Sequence, residues 1–373
     1  MATVTESVTS ASKQFQSRDP SPNRGFSIPD HVEAGENYMS QTEFRTHYGI
    51  DVSRQIRLVK VVYMRYQHPD LQEIKTFMKD FGLTKVKETA TDIWFRGYGV
   101  DQYVYHVHKG PKQFLGGAFE AESYDDLEKA VKISGAKVLS NGIEKMEDAP
   151  GGGYIVTLAD PEGFPINIVY GQTPRKADAM PTKLSFNLET EKRRVREFAR
   201  FKPGPAAVHK LGHYGLVVGN FDAVLDFYTK NFNFVPSNVL YADSDGQKVN
   251  VGMFAHIDRG DDLVDHHTLF CVKLAPGQET PHVHHCSFEI HDMDTQAMGH
   301  DWLIKKGYKP VWGLGRHVLG SQIFDYWWDV NGFMVEHYID GDVVNKETPV
   351  SFHRADNALD TAWGPNVPTT FLE

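Results

Sequence analysis

Apolar and polar positions along the chain change from a period of two to a period near 3.6, and they do so twice in the same order. Residues 56–66 alternate as a strand does, and a helical spacing follows before Gly82, at Leu71, Ile74, Phe77 and Met78. Residues 209–234 repeat this order, with helical apolar positions at Val224, Leu225, Phe227 and Tyr228. The pattern predicts a strand and then a helix at the start of two similar halves.

The later segments of the two halves also correspond. Residues 116–138 parallel residues 285–311, and residues 151–171 parallel residues 321–341, each pair showing the same order of strands, helix and glycine turns. Aligning the ends of the first helices gives an offset of 151, whereas the later segments give 169, so the second half holds 18 additional residues (169 − 151). We interpret this as an internal duplication. Each copy is predicted to be α+β, with mostly antiparallel sheet and helices on one face.

The duplication suggests a division of the chain into five parts. We expect a loosely ordered N-terminal arm, a first domain, a linker, a second domain and a C-terminal tail that is a candidate cover for a cleft. Their expected bounds are residues 1–50, 51–180, 181–205, 206–345 and 346–373.

Composition narrows the classes of partner. The formal charge of −10 argues against nucleic acid or an anionic membrane as the main partner, because both need clustered Lys and Arg. Two cysteines without a CxxC pair, and an N-terminus without an apolar core, favour a reducing compartment and a cytoplasmic protein. Eighteen histidines raise the expectation of metal or acid–base chemistry.

Three aligned positions distinguish the two copies. With the offsets above, His213, His285 and Glu336 of the second copy lie opposite Val62, Gly116 and Asn167 of the first. Each of the three lies on a different predicted strand, so a curled sheet can bring them together. Two imidazoles and one carboxylate are the facial triad of non-haem Fe(II) sites, in which three coordination positions are open. The same ligands are compatible with Mn(II).

The second copy resembles a known family through three motifs. They are "LGHYGLVV" around His213, "HHCSFEI" around His285, and "GRHVLGSQIFDYWWDVNGFMVE", in which His317, Tyr326 and Glu336 are separated by 9 and 10 positions. Together with the duplication, these motifs resemble the two-domain type I extradiol ring-cleavage dioxygenases of the vicinal oxygen chelate superfamily, over about residues 55–345.

The resemblance implies a fold and a set of roles. It implies two tandem vicinal oxygen chelate domains built of paired βαβββ modules, with curled mixed sheets and helices outside, of which only the second domain is catalytic. It implies His213, His285 and Glu336 as iron ligands, His267 as the acid–base residue, and His317 with Tyr326 as the pair that contacts the substrate hydroxyls. Asp325 and Val330 depart from the family pattern, in which an apolar residue and a proline are usual.

The function implied is Fe(II)-dependent cleavage of a catecholic ring by O₂ beside the diol, by an enzyme that is expected to be a homo-oligomer. No cofactor besides the metal is expected. His282 and His284 are expected to be bystanders, and Arg354 in the tail is a candidate contact for a substrate carboxylate. Three alternatives stay open: a 4-hydroxyphenylpyruvate-dioxygenase-like enzyme, a glyoxalase-like isomerase, and a non-catalytic protein that binds an aromatic ligand.

Overall fold

The computed structural model describes residues 38–133, 135–244, 246–275, 277–357 and 361–371. Residues 1–37, most of the predicted arm, lie outside this range. Two large sheets, one from each half of the chain, carry five helices on their outer faces.

The N-terminal half contributes the smaller sheet. Its helices begin at side chains that cap the first turn: Asp70 accepts hydrogen bonds from two backbone N–H groups of one helix, and Ser123 from one of the next. The elements are β2 (Leu58–His68), α2 (Leu71–Asp80), β3 (Thr84–Glu88), β4 (Asp92–Arg96), β5 (Tyr105–Lys109), β6 (Gln113–Ala121), α3 (Tyr124–Val131), β7 (Lys137–Val138), β8 (Glu144–Lys145), β9 (Tyr154–Ala159) and β10 (Pro165–Tyr170).

The C-terminal half contributes the larger sheet, and its helices are capped by Asn220 and Asp292. Its elements are β11 (Lys210–Val218), α4 (Phe221–Asn231), β12 (Phe234–Ser244), β13 (Gln247–Ile257), β14 (Val264–Asp265), β15 (Leu269–Lys273), β16 (His282–Glu289), α5 (Met293–Lys306), β17 (Pro310–His317), β18 (Ile323–Trp328), β19 (Met334–Ile339), β20 (Val343–Val344), β21 (Val350–Arg354) and β22 (Thr361–Trp363).

The two sheets have the same strand order. In the smaller sheet the order is β3-β4-β5-β2-β6-β10-β9-β7, and in the larger one the matching strands run β12-β13-β15-β11-β16-β19-β18-β17. Each sheet is two four-stranded modules joined at its centre by an antiparallel pair, β2 with β6 or β11 with β16. This confirms the predicted α+β duplication and its paired modules.

Strand pairing corrects one residue correspondence. Tyr63 pairs with Ala118 in the first copy, and His213 pairs with Ser287 in the second, so Tyr63 is the counterpart of His213 and the predicted partner, Val62, is wrong. The cause is that α4 has 11 residues and α2 has 10, so an alignment made at the helix ends is displaced by one residue in the preceding strand. Gly116 and Asn167 keep their correspondence with His285 and Glu336.

The halves pack against each other through reciprocal contacts. Glu162, in the turn before β10, accepts hydrogen bonds of 2.9 Å from the backbone N–H groups of Gly219 and Asn220, where α4 begins. In the matching turn before β19, Asn331 forms a 2.6 Å hydrogen bond with His68, where α2 begins. One continuous hydrophobic cluster contains buried residues of both halves. The two sheets are therefore held in a fixed mutual arrangement.

The chain ends of the described region add to the larger sheet. Residues 38–50 of the predicted arm are ordered: β1 (Tyr38–Met39) pairs with β21, and α1 (Gln41–His47) begins at a capping box formed by Ser40 and Glu43. Gln41 donates hydrogen bonds to the backbone of residues 345 and 348, which fixes this segment to the C-terminal half. No helix among the described residues has the length and apolar character needed to cross a membrane.

Candidate metal centre

Three adjacent strands at the middle of the larger sheet bring together the predicted ligands. His213 lies on β11, His285 on β16 and Glu336 on β19, and one ligand atom from each lies within 4.8 Å of the other two. The Oε2 atom of Glu336 is 3.2 Å from Nε2 of His213 and 3.6 Å from Nε2 of His285. All three side chains are buried. The predicted convergence of these three residues is present in the structure.

Two glycines beside His213 permit this close approach. A Cβ atom at Gly212 would lie 2.2 Å from the hydroxyl oxygen of Tyr338, and one at Gly215 would lie 2.7 Å from the ring of Phe270 and 3.3 Å from that of His285. Contacts below 3 Å require the surrounding atoms to shift. The Gly-His-Tyr-Gly sequence on β11 therefore suits the packing of this centre.

The polar atoms of the three residues fit a cation. Glu336 is fully buried, yet no donor with hydrogen-bond geometry reaches either carboxylate oxygen within the described residues; Nε2 of His285 likewise has no hydrogen-bond partner. A buried carboxylate without donors is costly unless it is paired or coordinates a metal. A divalent metal between the three side chains would satisfy these atoms, and His/His/Glu is a donor set suited to Fe(II) or Mn(II).

The imidazoles of His267, His285 and His317 favour the neutral form, which a metal ligand or a hydrogen-bond acceptor needs. Burial and neighbouring histidines lower the pKa of His267 and of His285 well below the usual value. Burial lowers the pKa of His317 to about 4. The Tyr326 hydroxyl stays protonated, because burial and the Glu336 carboxylate raise its pKa well above 10.

His267 lies directly beside the triad. Its ring centroid is 4.1 Å from that of His213, and its Nδ1 atom is 3.1 Å from Nδ1 of His266 and 3.5 Å from Nε2 of Gln322. His266 is also buried, and its backbone carbonyl accepts a hydrogen bond of 2.5 Å from Ser237. His267 is thus held in the cavity wall and is not a surface histidine.

His317 and Tyr326 form a hydrogen-bonded pair in the wall of the same cavity. Nε2 of His317 is 3.0 Å from the Tyr326 hydroxyl, and Tyr326 is paired directly opposite Glu336 across β18 and β19. One cavity is lined by all the proposed metal and catalytic residues except Glu336, and by further side chains: Phe254, Phe270, Leu319, Gln322 and Phe371.

The two neighbouring histidines have different surroundings. His284 is buried, its Nδ1 atom is 2.6 Å from Nδ1 of His285, and its Nε2 atom is 2.8 Å from the backbone carbonyl oxygen of Phe371. His284 therefore orients the His285 ring so that Nε2 faces the triad, which is a positioning contact that the bystander hypothesis did not include. His282 instead forms a 2.9 Å hydrogen bond with the backbone of Thr280.

Two sequence-based concerns are settled by where the side chains point. Asp325 faces away from the cavity, because its carboxylate binds His300 at 2.9 Å and the indole N–H of Trp327 at 2.8 Å. Arg354 was considered for substrate contact, but it is an exposed residue that pairs with Asp243 and Asp356 and does not line the cavity.

Several cavity residues had no signal in the sequence. Phe254 and Phe270 look like ordinary strand residues, and Leu319 and Gln322 lie in a loop. Phe371 comes from the tail, is buried, and places its ring centroid 4.8 Å from that of Tyr326. The predicted cover by the C-terminal tail is consistent with this contact, although the sequence does not single out residue 371.

Comparisons with known proteins agree with this geometry. Residues 210–336 match the model of the Glyoxalase/Bleomycin resistance protein/Dioxygenase superfamily. Metapyrocatechase 2 of Cupriavidus necator is 26% identical over 311 residues, covering 82% of this chain and 88% of the relative.

Two solved structures share the fold. Homoprotocatechuate 2,3-dioxygenase from Arthrobacter globiformis matches with a TM-score of 0.67 and 20% identity, over 86% of this chain and 93% of that one. The Mn(II)-bound glyoxalase from Novosphingobium aromaticivorans matches with a TM-score of 0.65 and 24% identity, over 84% and 94%.

The match of residues 210–336 to this superfamily model confirms the resemblance seen in the motifs. The solved structures confirm the two-domain vicinal oxygen chelate fold. The relatives include catechol dioxygenases and a glyoxalase, so the choice of reaction depends on the residues around the metal centre.

Proposed function

We propose that this protein is an Fe(II)-dependent extradiol dioxygenase that uses O₂ to cleave a catecholic ring beside its two hydroxyl groups. The observation that carries the proposal is that His213, His285 and Glu336 converge, and that one cavity is lined by these two histidines, His267 and the His317–Tyr326 pair. The relatedness to metapyrocatechase 2 supports the same reaction.

The residues of the site fit the proton movements of this reaction. Fe(II), when bound, would supply the Lewis acidity that lowers the pKa of a catechol and the electron transfer between its ring and O₂. A hydroxyl proton of the substrate would pass to Nε2 of His317, which is neutral and hydrogen-bonded to Tyr326. His267, also neutral, would take up the second hydroxyl proton of the substrate and then give it to the oxygen on which negative charge develops.

The surroundings of the cavity keep these steps apart from bulk water. Phe371 covers one side and Phe254 stacks on Phe270 at another, with ring centroids 4.8 Å apart. Excluding water strengthens each hydrogen bond to the substrate and protects an electron-rich ring from side reactions. His284 is hydrogen-bonded to both His285 and the backbone of Phe371, so it connects the C-terminal tail to a proposed metal ligand.

The first half of the chain is proposed to be structural, with the domain bounds expected above. Its position equivalent to Glu336 is Asn167, whose amide oxygen accepts hydrogen bonds from Arg65 at 2.9 Å and Thr157 at 2.8 Å. The amide group donates to two backbone carbonyls, so its hydrogen-bonding capacity is used by the protein itself. The free, buried cysteines Cys271 and Cys286 support the proposed cytoplasmic location.

Homo-oligomerisation is supported by the linker. Its large apolar side chains project from the surface, with Phe198 at 69% exposure, and the others are Phe186, Leu188, Val195 and Phe201; Met180, just before the linker, is exposed as well. Residues 180–202 contain seven Lys or Arg and three Glu, while the whole chain has a charge of −10, so a second copy offers a complementary surface. Light scattering after chromatography should show a multimer that Phe198→Ser weakens, whereas Leu263→Ser, at an equally exposed position, should not. A monomeric wild-type protein would contradict this.

Metal analysis with anaerobic catechol titration tests the proposed activity. Iron-loaded protein should bind about one metal per chain, develop a chelate absorption band with a catechol, and, on adding O₂, consume it and form a yellow ring-fission product. Glu336→Gln should lose all three signals. Turnover of another substrate without O₂ would favour the isomerase alternative, and iron-loaded protein that consumes no O₂ with any catechol would refute ring cleavage.

A further inference from the structure

The cavity wall beyond the proposed metal and catalytic residues is almost entirely apolar. It consists of the rings of Phe254, Phe270 and Phe371, the side chain of Leu319, and the neutral amide of Gln322. In the described part of the chain, no lysine, arginine or aspartate lines this cavity. A ring substituent that extends along this part of the wall would therefore meet hydrocarbon or a single amide.

Arg316 and Arg354, two arginines of the second half, are engaged elsewhere. Arg316, which precedes His317, donates 2.6 Å to the backbone carbonyl of Ser321 and pairs with Asp340 at 2.7 Å. Arg354 pairs with surface carboxylates, as described above. Neither guanidinium reaches the cavity wall, so neither can neutralise an anionic group on a bound ring.

A carboxylate in this cavity would meet no lysine or arginine among the described residues that line it, and beyond the proposed catalytic groups its one donor would be the Gln322 amide. Desolvating an ionised carboxylate costs several kcal/mol unless a cation or several donors replace the lost water, and the site already holds the buried Glu336. An alkyl group on the ring would instead gain about 0.8 kcal/mol for each CH₂ that it buries.

We infer that the site selects catechols with uncharged, apolar ring substituents and rejects catechols that bear a carboxylate. This inference rests on the proposed ring-cleaving function and makes it more specific. The selectivity arises from the absence of a cation along the Phe254, Phe270, Leu319 and Phe371 wall, and not from the metal centre, which treats the diol of either substrate alike.

Matched substrates test the inference directly. With iron-loaded protein, kcat/KM for 4-methylcatechol should exceed that for 3,4-dihydroxybenzoate and for 3,4-dihydroxyphenylacetate at least 100-fold at neutral pH. Anaerobic calorimetric titration of the same three compounds should give the same order of affinity without turnover. Equal or better binding and turnover of the carboxylated compounds would overturn the inference while leaving ring cleavage intact.

The two proposals fail in different ways. If no compound is cleaved but 4-methylcatechol still binds much more tightly than its carboxylated analogues, ring cleavage is refuted and the binding preference of the cavity stands. If all three compounds are cleaved at similar rates, ring cleavage is supported and the substrate class is refuted.

A charge placed in the wall should change the preference. Leu319 is half-buried in a loop, so Leu319→Arg has room to direct a guanidinium into the cavity, and it should shift the kcat/KM ratio at least 10-fold toward 3,4-dihydroxybenzoate. Leu319→Gln, polar but uncharged, should shift it much less, and Leu263→Arg on the exposed surface should leave it unchanged. Leu319→Lys provides a second cation if the arginine variant does not fold. A ratio unchanged in a folded cationic variant would overturn the assigned cause.

Discussion

The two halves of this chain have the same strand order, but the side chains at the three positions of the proposed ligands differ between them. In the N-terminal half, Tyr63 packs on Tyr103, Gly116 lies in a left-handed conformation, and the Asn167 amide is hydrogen-bonded on both sides. In the C-terminal half, the equivalent side chains converge, and the buried Glu336 carboxylate has no hydrogen-bond donor among the described residues. A polar group that the protein satisfies by itself is structural, whereas one left unsatisfied at the same register indicates a ligand.

The largest effect should come from exchanging carboxylate and amide at the equivalent positions 336 and 167. Glu336→Gln removes the only anionic ligand of the proposed triad and should lower metal affinity and turnover by more than about 100-fold. Mutating a residue that only hydrogen-bonds to a metal ligand already lowers affinity or activity by about 10- to 100-fold. Mass spectrometry measures the metal content, and O₂ uptake measures the turnover.

The matched change in the first half is Asn167→Asp. It should leave metal content at one ion per chain and leave turnover near the wild-type rate, because Tyr63 and Gly116 stand where the second half has His213 and His285. A second ion, or equal losses in both variants, would show that the two halves do not differ in the way described.

A smaller loss is expected for His267→Phe. If His267 supplies a proton and holds no metal, turnover should fall by about 10² to 10⁴ while iron content stays unchanged. His108→Phe is the control in the first half, where His108 forms a 2.9 Å hydrogen bond with Asp92. Loss of iron in His267→Phe would instead make His267 a ligand or a structural support of the triad.

Introducing a metal ligand at the first-half counterpart of His285 should destabilise the protein. Gly116 has a φ of +96°, and an added Cβ would lie 2.2 Å from the backbone oxygen of Pro165. Gly116→Ala should therefore destabilise the protein by roughly 1–3 kcal/mol or more. Gly163→Ala has a similar φ of +87° but open space around the added Cβ, so it isolates the cost of the backbone conformation. Urea unfolding measures both; equal losses would show that the contact with Pro165 has no role.

The smallest expected effect concerns the matching aspartates of the two turns that join the halves. Burial raises the pKa of Asp160 and of Asp329 to about 6 from 3.8. Because the folded state holds these protons more tightly than the unfolded state does, each residue should lower stability as pH rises from about 4 to about 6.

Asp329→Asn should therefore flatten the decline in stability over that range, by an amount on the order of 2 kcal/mol. Asp160→Asn should gain less stability near neutral pH than Asp329→Asn does. The reason is that Oδ2 of Asp160 accepts a 3.2 Å hydrogen bond from Tyr228, while Oδ2 of Asp329 has no partner among the described residues. Thermal unfolding between pH 4 and 7 checks both, and an unchanged pH profile in Asp329→Asn would contradict the assignment.

The sequence by itself determined the duplication, the α+β class and the three residues that converge in the second half. These follow from local periodicity and from the identity of residues at repeated positions, which do not require knowledge of contacts. The proposed ligands were found because three chemically suited side chains coincide at matched positions of one copy only.

Only the tertiary structure decided which residues are true counterparts and what surrounds them. Strand register depends on backbone hydrogen bonds between segments far apart in the chain, so one additional residue in α4 made Val62 the apparent counterpart of His213 where Tyr63 is the real one. The contact of His284 with Phe371, the outward direction of Asp325 and the apolar wall likewise depend on segments that meet only when the sheet curls.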